Sequence, residues 1–202
     1  MAKRIFIWVA HPKHGSLNAA LAARYADGAR TQGAEVREMA LADMQFSEAF
    51  EGYDPNKEGS APALAPDLQA WQDNMQWADH VLIVHPYWWG AMPSRAKAVL
   101  DMALLPGFAF KYHKRGVKWD KLLSGRTGDA IITSDTPPWL DTLLYLRPGR
   151  RVIRNQVLKF CGIAPRKIVQ LGSVKLAKDG QVGKWLDRAQ RMGARAAMAG
   201  GA

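Results

Sequence analysis

A polar loop near the start of the chain carries several side chains that can bind an anion. It reads His11-Pro12-Lys13-His14-Gly15-Ser16-Leu17-Asn18 and lies between a short apolar run and a helical periodicity. Hydroxyl, amide and imidazole groups with free backbone N–H groups at a helix start favour a phosphate group, because the helix dipole is positive there. The alternative is that Ser16 only caps the helix and that the histidines lie in a turn. This segment alone leaves both interpretations open.

Five short apolar runs rich in β-forming residues alternate with helical periodicities along the chain. The predicted strands cover residues 5–9, 34–39, 81–84, 129–133 and 167–172. The predicted helices cover residues 17–31, 67–78, 94–105 and 182–198, with a further helix after Pro148 that carries Val152, Val157, Leu158 and Phe160 on one face. Residues 46–66 are predicted to form a long surface loop. The alternation predicts a parallel sheet covered on both faces, with a ligand site at its carboxyl edge.

The spacing of the glycines narrows the expected fold. No two glycines stand as Gly-X-Gly, so the dinucleotide-binding fingerprint is absent, and there is no Gly-X4-Gly-Lys phosphate loop. A length of 202 residues favours one domain over two small ones. We therefore expect an α/β fold with a single flavodoxin-like domain over residues 1–202. Its doubly wound sheet would have five parallel strands in the order 2-1-3-4-5 and helices on both faces.

The composition is that of a globular protein, and the charge limits the classes of partner. Hydrophobic residues make up 48% and charged residues 23% of the chain, which argues against disorder and low-complexity repeats. Lys and Arg number 28 against 18 Asp and Glu, so the net charge of +10 favours anionic ligands, nucleic acid or an acidic membrane. None of the standard nucleic-acid recognition motifs is present, so no nucleic-acid partner is expected.

The single cysteine and the short apolar runs indicate which cellular compartment and which metal sites are to be expected. Cys161 stands alone, which excludes an internal disulfide and a multi-cysteine metal site and fits a reducing compartment. We expect a cytoplasmic protein without a metal, in which Cys161 is a small buried hydrophobe. No run approaches the roughly 18 apolar residues of a membrane helix, and residues 5–10 are too short for a signal peptide.

Four stretches of the sequence resemble one known family. They are His11-Pro12 with Ser16-Leu17-Asn18, then Asp79-His80-Val81 through His85-Pro86-Tyr87-Trp88-Trp89-Gly90 with Met92-Pro93-Ser94, Lys97 and Asp101, then Gly107-Phe108-Ala109-Phe110, and finally Phe160-Cys161-Gly162. Together they resemble the flavodoxin-like NAD(P)H:quinone oxidoreductases, the DT-diaphorase group. The resemblance extends over nearly the whole chain.

The resemblance implies that a flavin binds at the first two loops. The residues implied to hold its phosphate are His11, Ser16, Leu17 and Asn18, and those implied to hold its ring, by backbone groups, are Pro86, Tyr87, Trp88, Trp89 and Gly90. An isoalloxazine ring needs a flat aromatic wall, N–H groups near O4 and N5, and one open face. The alternative is that the two tryptophans fill a gap beside the sheet. However, two adjacent residues of an extended stretch cannot both face the core.

A third loop departs from the family. It reads Thr133-Ser134-Asp135-Thr136-Pro137-Pro138-Trp139, where diaphorases carry Thr-Thr-Gly-Gly followed by a Tyr and a His that assist hydride transfer. The catalytic side chains therefore cannot be transferred and stay unknown. We still expect residues 133–136 to contact the cofactor, with backbone N–H groups that stabilise the negative charge of the reduced ring. Asp135 would oppose that charge unless it points away, and its alternative is an Asx-type turn before proline.

Two basic clusters have open roles. They are residues 111–115 and the set Arg147, Arg150, Arg151 and Arg154. Either cluster is a candidate to meet the phosphates of NAD(P)H. The alternatives are a solvated face for the first cluster and capping of a helix end for the second.

The expected function is that of a cytoplasmic flavoenzyme. It would take a hydride from NAD(P)H onto flavin N5 and reduce a quinone or similar small acceptor in a ping-pong exchange, with FMN preferred over FAD. The resemblance also implies a homodimer with each site at the interface, which residues 46–66 are a candidate to cross. The alternative is a non-catalytic flavin module for electron transfer or regulation, such as a flavodoxin or the accessory subunit of a potassium efflux system. NADH versus NADPH and the physiological acceptor stay open.

Overall fold

The structure is a computed structural model that describes residues 1–49, 52, 63–113 and 115–199. Its strands are β1 (Arg4–Val9), β2 (Glu35–Ala40), β3 (His80–Pro86), β4 (Phe110–Tyr112), β5 (Trp119–Lys121), β6 (Thr127–Thr133) and β7 (Ala164–Leu171). Five of them form one parallel sheet in the order β2-β1-β3-β6-β7. This confirms the predicted flavodoxin-like α/β fold and the strand order 2-1-3-4-5.

The helices cover both faces of the sheet. They are α1 (Leu17–Thr31), α2 (Pro66–Trp77), α3 (Ser94–Ala103), α4 (Pro138–Leu143), α5 (Pro148–Arg151), which continues as a π-helix (Val152–Lys159), and α6 (Asp179–Met198). One core cluster lies between the sheet and helices α1 and α6. The other lies between the opposite face of the sheet and helices α2 and α3 with the π-helix.

The central strands follow from their continuous apolar sequence. Every residue of β3 and β6 is buried, because a parallel strand inside the sheet is covered on both faces. The edge strand β2 instead carries the charged residues Glu35, Arg37 and Glu38, and none of its six residues is buried. Pro86 at the end of β3 is paired with Thr133 at the end of β6. This register places the loops after these two strands side by side at the carboxyl edge.

Three details differ from the sequence prediction. Strands β4 and β5 form a small antiparallel hairpin where only a basic, aromatic stretch was expected. The helix after Pro148 is largely a π-helix, and its wider turn buries Ile153, Val157 and Leu158. Val152 is therefore 45% exposed and not on the buried face as predicted. The short helix α4 and a 3-10 helix (Val174–Leu176) were not predicted either.

Most of the predicted surface loop of residues 46–66 lies outside the described residues. Pro66, its last residue, is the first residue of α2. The predicted single domain over residues 1–202 stays a prediction. Within the described residues, no helix is both long and apolar enough to cross a bilayer.

Candidate functional site

A small cavity at the carboxyl edge of the sheet brings together most of the predicted ligand-binding residues. Its volume is about 260 Å³. Its lining consists of His11, Ser16, Leu17, Asn18, Pro86, Tyr87, Trp88, Thr133, Ser134, Asp135 and Val174. Val174 lies in the 3-10 helix after β7, and no sequence pattern pointed to it. Trp89, Gly90 and Thr136 were predicted for this site but do not line the cavity.

Ser16 caps helix α1 at the cavity. Its Oγ accepts a hydrogen bond of 3.2 Å from the backbone N–H of Ala19. The cap satisfies one N–H group of the first helical turn, and the groups before it have no partner within the helix. Capping and ligand binding are therefore compatible here, since the remaining first-turn N–H groups and the helix dipole still favour an anion.

Asn18 contributes an unpaired donor to the same cavity. Its side chain is 1% exposed, and its Oδ1 accepts a 2.7 Å hydrogen bond from Oγ1 of Thr133. The other end of the amide is Nδ2, which carries two hydrogens. Nδ2 is buried without a hydrogen-bond partner in the described part of the chain. An unpaired buried donor is costly, which points to an acceptor on a ligand.

The ring of His11 is held in the first loop by the backbone of Lys13. Its Nδ1 lies 3.0 Å from the backbone nitrogen and 3.1 Å from the carbonyl oxygen of Lys13, so this contact is compatible with either neutral tautomer. Burial lowers the pKa of His11. The ring meets that of Trp88 edge to face, with 5.7 Å between the centroids. The first loop (residues 11–18) and the aromatic loop (residues 86–90) are therefore in contact.

The backbone of the aromatic loop is partly occupied. The N–H of Tyr87 donates to Thr133 O at 2.7 Å, and the N–H of Trp88 donates to Ala91 O at 2.8 Å. The N–H groups of Trp89 and Gly90 have no partner among the described residues. Both residues have positive φ angles, 50° for Trp89 and 80° for Gly90. On this loop, the N–H groups of Trp89 and Gly90 are therefore the ones that remain available to a ligand.

The side chain of Tyr87 anchors the aromatic loop to α4 and α5. Its hydroxyl donates to Oδ1 of Asp141 at 3.2 Å, and its ring packs against Gly149. The buried carboxylate of Asp141 is paired with Arg150 at 3.1 Å. The aromatic loop is thus held by contacts of Tyr87 with α4 and α5, while the Trp89 side chain is fully exposed.

The third loop is held by β7 and the segment after it. The N–H of Ser134 donates to Leu171 O at 2.8 Å, and Gln170 Nε2 donates to Oγ of Ser134 at 3.0 Å. The carboxylate of Asp135 accepts from the N–H of Lys175 at 3.0 Å and pairs with its Nζ at 3.1 Å. The negative charge of Asp135 is therefore offset by Lys175, which reduces its opposition to a second negative charge in the cavity.

A second, larger cavity adjoins the first one. Its volume is about 670 Å³, and Trp88 lines both cavities. It lies between α3 and the α5–π-helix segment, with an apolar lining that includes Met92, Leu100, Ile153, Val157 and Phe160. Trp89 and Cys161 also line it. Cys161 is 2% exposed and burial raises its pKa to about 11, as expected for a small buried thiol.

The described residues of the two basic clusters do not line either cavity. Lys111 and Tyr112 of the first cluster belong to β4, and Nε2 of His113 lies 2.8 Å from Oδ1 of Asp120 in β5. The four arginines of the second cluster line a separate groove of about 360 Å³ together with Ile168. Arg150 of this set is tied to Asp141 and Thr142.

Comparison with curated proteins finds relatives among oxidoreductases. The chain is 26% identical to the uncharacterized NAD(P)H oxidoreductase YcaK of Escherichia coli over 129 residues, 61% of this chain and 66% of that protein. It is 28% identical to the ribosyldihydronicotinamide dehydrogenase-like protein traD of Penicillium crustosum, over 69% of this chain and 57% of the relative. With NAD(P)H dehydrogenase [quinone] 1 of Rattus norvegicus it shares 24% identity, over 84% of this chain and 70% of that protein. The chain thus spans less than two thirds of the first two relatives.

Solved structures and a family profile agree on the fold. The NAD(P)H:quinone oxidoreductase from Methanothermobacter marburgensis superposes with a TM-score of 0.79 at 21% identity, covering 96% of this chain and 98% of that one. An FMN-dependent NADH-azoreductase from Bacillus anthracis, solved with FMN, gives 0.69 at 18% identity, covering 98% and 100%. Residues 3–192 match the sequence profile of a protein family whose fold is flavodoxin-like. The resemblance to the quinone oxidoreductases is confirmed, and the chain belongs to the flavodoxin-like family as a divergent member.

Proposed function

We propose that this protein is a flavin-dependent oxidoreductase that uses NAD(P)H to reduce a quinone or a similar small acceptor. The observation that carries the proposal is the buried, unpaired Nδ2 of Asn18 at the start of α1. It lies in a cavity that also contains His11 and Trp88. This set of donors beside an aromatic ring fits a phosphate-bearing cofactor with a flat ring system.

The residues of the cavity would divide the binding task. The first-turn N–H groups of α1, Nε2 of His11 and Nδ2 of Asn18 would bind the phosphate and neighbouring hydroxyls. The free N–H groups of Trp89 and Gly90 would meet the acceptor atoms of the ring. A bound flavin would supply the redox chemistry, accepting a hydride from NAD(P)H and passing two electrons to the acceptor in a ping-pong exchange. The protein would contribute positioning and exclusion of water.

We propose FMN as the flavin, with FAD as the alternative. The FMN-bound azoreductase shares this fold over 98% of the chain. The donors described here account for one phosphate at α1. The lone Cys161 fits a reducing compartment, so we also propose a cytoplasmic location.

We propose a homodimer in which a second copy covers the exposed apolar side chains near the site. These side chains are Trp88, Trp89, Trp139, Leu143, Leu144, Tyr145, Leu146 and Val152. They belong to the aromatic loop, to α4 with the residues after it, and to the start of the π-helix. Tyr87 of the aromatic loop is hydrogen-bonded to Asp141 of α4, and Val152 lines the same cavity as Trp88 and Trp89. Neighbouring exposed apolar side chains of this kind support a protein partner. Molar mass in solution by light scattering distinguishes a dimer from a monomer.

The test of the proposed function has two readouts. The chromophore released from the purified protein is identified by mass, and oxidation of NADH and NADPH is followed with a quinone present. We expect FMN and quinone-dependent turnover. Protein that binds no flavin would overturn the proposal. Bound flavin without turnover would favour an electron-transfer or regulatory module instead.

Asn18→Ala tests the role of the orphaned amide directly. We expect it to weaken flavin retention about tenfold, because a charge-assisted or neutral hydrogen bond to the ligand is lost. Asn155→Ala, at an exposed position of the π-helix, is the matched control and should retain flavin as the unmodified protein does. Equal retention in both variants would argue against a phosphate site at α1.

A further inference from the structure

His85 presents an unpaired nitrogen beside the larger cavity. It is the next-to-last residue of β3 and is 1% exposed. Its Nδ1 lies 2.8 Å from the carbonyl oxygen of Pro86. A carbonyl only accepts, so Nδ1 carries the ring proton and Nε2 of the neutral ring is an acceptor. Nε2 is buried and has no hydrogen-bond partner in the described part of the chain.

The ring of His85 stays neutral at physiological pH. Burial lowers its pKa to about 4, although its contact with Pro86 O acts in the opposite direction. Protonation therefore does not supply a second donor at Nε2. The lone pair of Nε2 needs a donor from outside the described residues, because leaving a buried polar atom unpaired costs about 1–3 kcal/mol.

The rest of the cavity selects an apolar, flat molecule. Its volume of about 670 Å³ accommodates a small fused aromatic system, and Phe110, Phe160 and Val157 supply apolar contacts. The polar side chains at its margin are Ser94, Lys97, Asp101 and Gln156. Lys97 and Asp101 form an ion pair with each other. His85 also lines the cavity, and its Nε2 is a buried acceptor without a partner among the described residues, so it can discriminate between ligands that carry a donor and ligands that do not.

We propose that this cavity binds aromatic molecules with a free hydroxyl group, which donates its hydrogen bond to Nε2 of His85. The inference deepens the proposed function, since it names the class of acceptor that the neighbouring redox site serves. A hydroxylated quinone carries such a donor while it is the electron acceptor, and the hydroquinone formed by its reduction carries one as the product. An unsubstituted quinone carries only acceptors, and it would leave Nε2 unpaired. His85 is therefore a specificity-determining residue.

The test uses two probes that differ in a single methyl group. Binding of 2-naphthol and 2-methoxynaphthalene to the full-length protein is measured by titration calorimetry, without NAD(P)H. We expect the naphthol to bind about tenfold more tightly, which corresponds to about 1.4 kcal/mol. His85→Leu should abolish the preference. Gln156→Leu, which changes a polar residue at the margin of the cavity, should keep it.

Two results would overturn the inference. One is equal affinity of the unmodified protein for both probes, which would mean that water already satisfies Nε2. The other is a preference that persists in His85→Leu. If that variant does not fold, the ¹⁵N chemical shift of Nε2 in the unmodified protein decides, because only the naphthol should change it. None of these readouts needs flavin or turnover, so failure of the proposed function is recognised separately.

Discussion

Gly149 allows the Tyr87 ring to hold the aromatic loop in place. A methyl group built at Gly149 would overlap the ring of Tyr87. The contact is with a ring that is also tied to Asp141, so it cannot move away freely. The close approach of α5 to the aromatic loop therefore requires a glycine, which has no side chain, at position 149.

Gly149→Ala should destabilise the protein by about 1–3 kcal/mol, since overpacking displaces a ring held at both ends. The variant should also change the near-UV circular dichroism that Tyr87 and the neighbouring tryptophans produce. Denaturant unfolding measures the first effect. Gly180→Ala in α6, where nothing lies within 4 Å of the added methyl group, is the control. Equal stability of the two variants would contradict the packing described.

The crossing of α1 and α6 depends on two glycines. Gly28 lies against the backbone of Gln190, and Gly193 lies against the backbone of Tyr25. A Cβ at either position would overlap main-chain atoms of the other helix, which have no rotamer to change. The two helices therefore approach more closely than side chains would permit.

Gly28→Ala and Gly193→Ala should each lower the free energy of unfolding by about 1–3 kcal/mol, although alanine is the better helix former. Gly183→Ala lies on the same helix α6 with open space around it, so it should raise stability by up to about 1 kcal/mol. Thermal and denaturant unfolding of the three variants measure the difference. If the free energy of unfolding changes in the same direction in all three variants, the close contact between α1 and α6 is refuted.

The sequence predicts the large sheet better than the small elements. The central strands are continuous apolar runs, and parallel strands must bring their following loops to one edge, so Asn18 and Thr133 line the same cavity. The hairpin of β4 and β5 was missed because its three-residue strands carry charged residues. The π-helix was missed because its period differs from that of an α-helix.

The finer features of the site depend on contacts that no local pattern records. The N–H groups of Tyr87 and Trp88 are used by Thr133 and Ala91, and this follows from the folded geometry of the loop. Likewise, Nε2 of His85 lacks a partner because no described donor lies next to it in the fold, and the sequence around His85 does not show this. Val174 reaches the cavity only because its N–H donates to Ser134 O at 3.1 Å.

Across the whole molecule, buried histidines make stability depend on pH. Burial lowers the pKa of His80 to about 3 and that of His85 to about 4. As pH falls below the ordinary value near 6.5, the unfolded chain takes up these protons and the folded chain does not, so stability is lost. Asp129 acts in the opposite direction, because burial raises its pKa to about 6 and the folded chain binds that proton first.

His85→Leu isolates one part of this dependence. Between pH 7 and pH 4, the unmodified protein should lose about 3 kcal/mol more stability than the variant, because His80 and Asp129 are common to both. Urea unfolding at several pH values provides the comparison. Parallel curves for the two proteins would show that His85 is not held neutral by burial.

The packing of α1 on α6 has a consequence for synthesis of the chain. During synthesis, α1 emerges from the ribosome early, whereas α6 emerges only after all five strands of the large sheet. Until then the apolar face of α1, with Leu21 and Tyr25, lacks the neighbour that covers it in the finished protein. A nascent chain that stalls before α6 would expose this face to chaperones and proteases, so the core between the sheet and helices α1 and α6 is completed only late in translation.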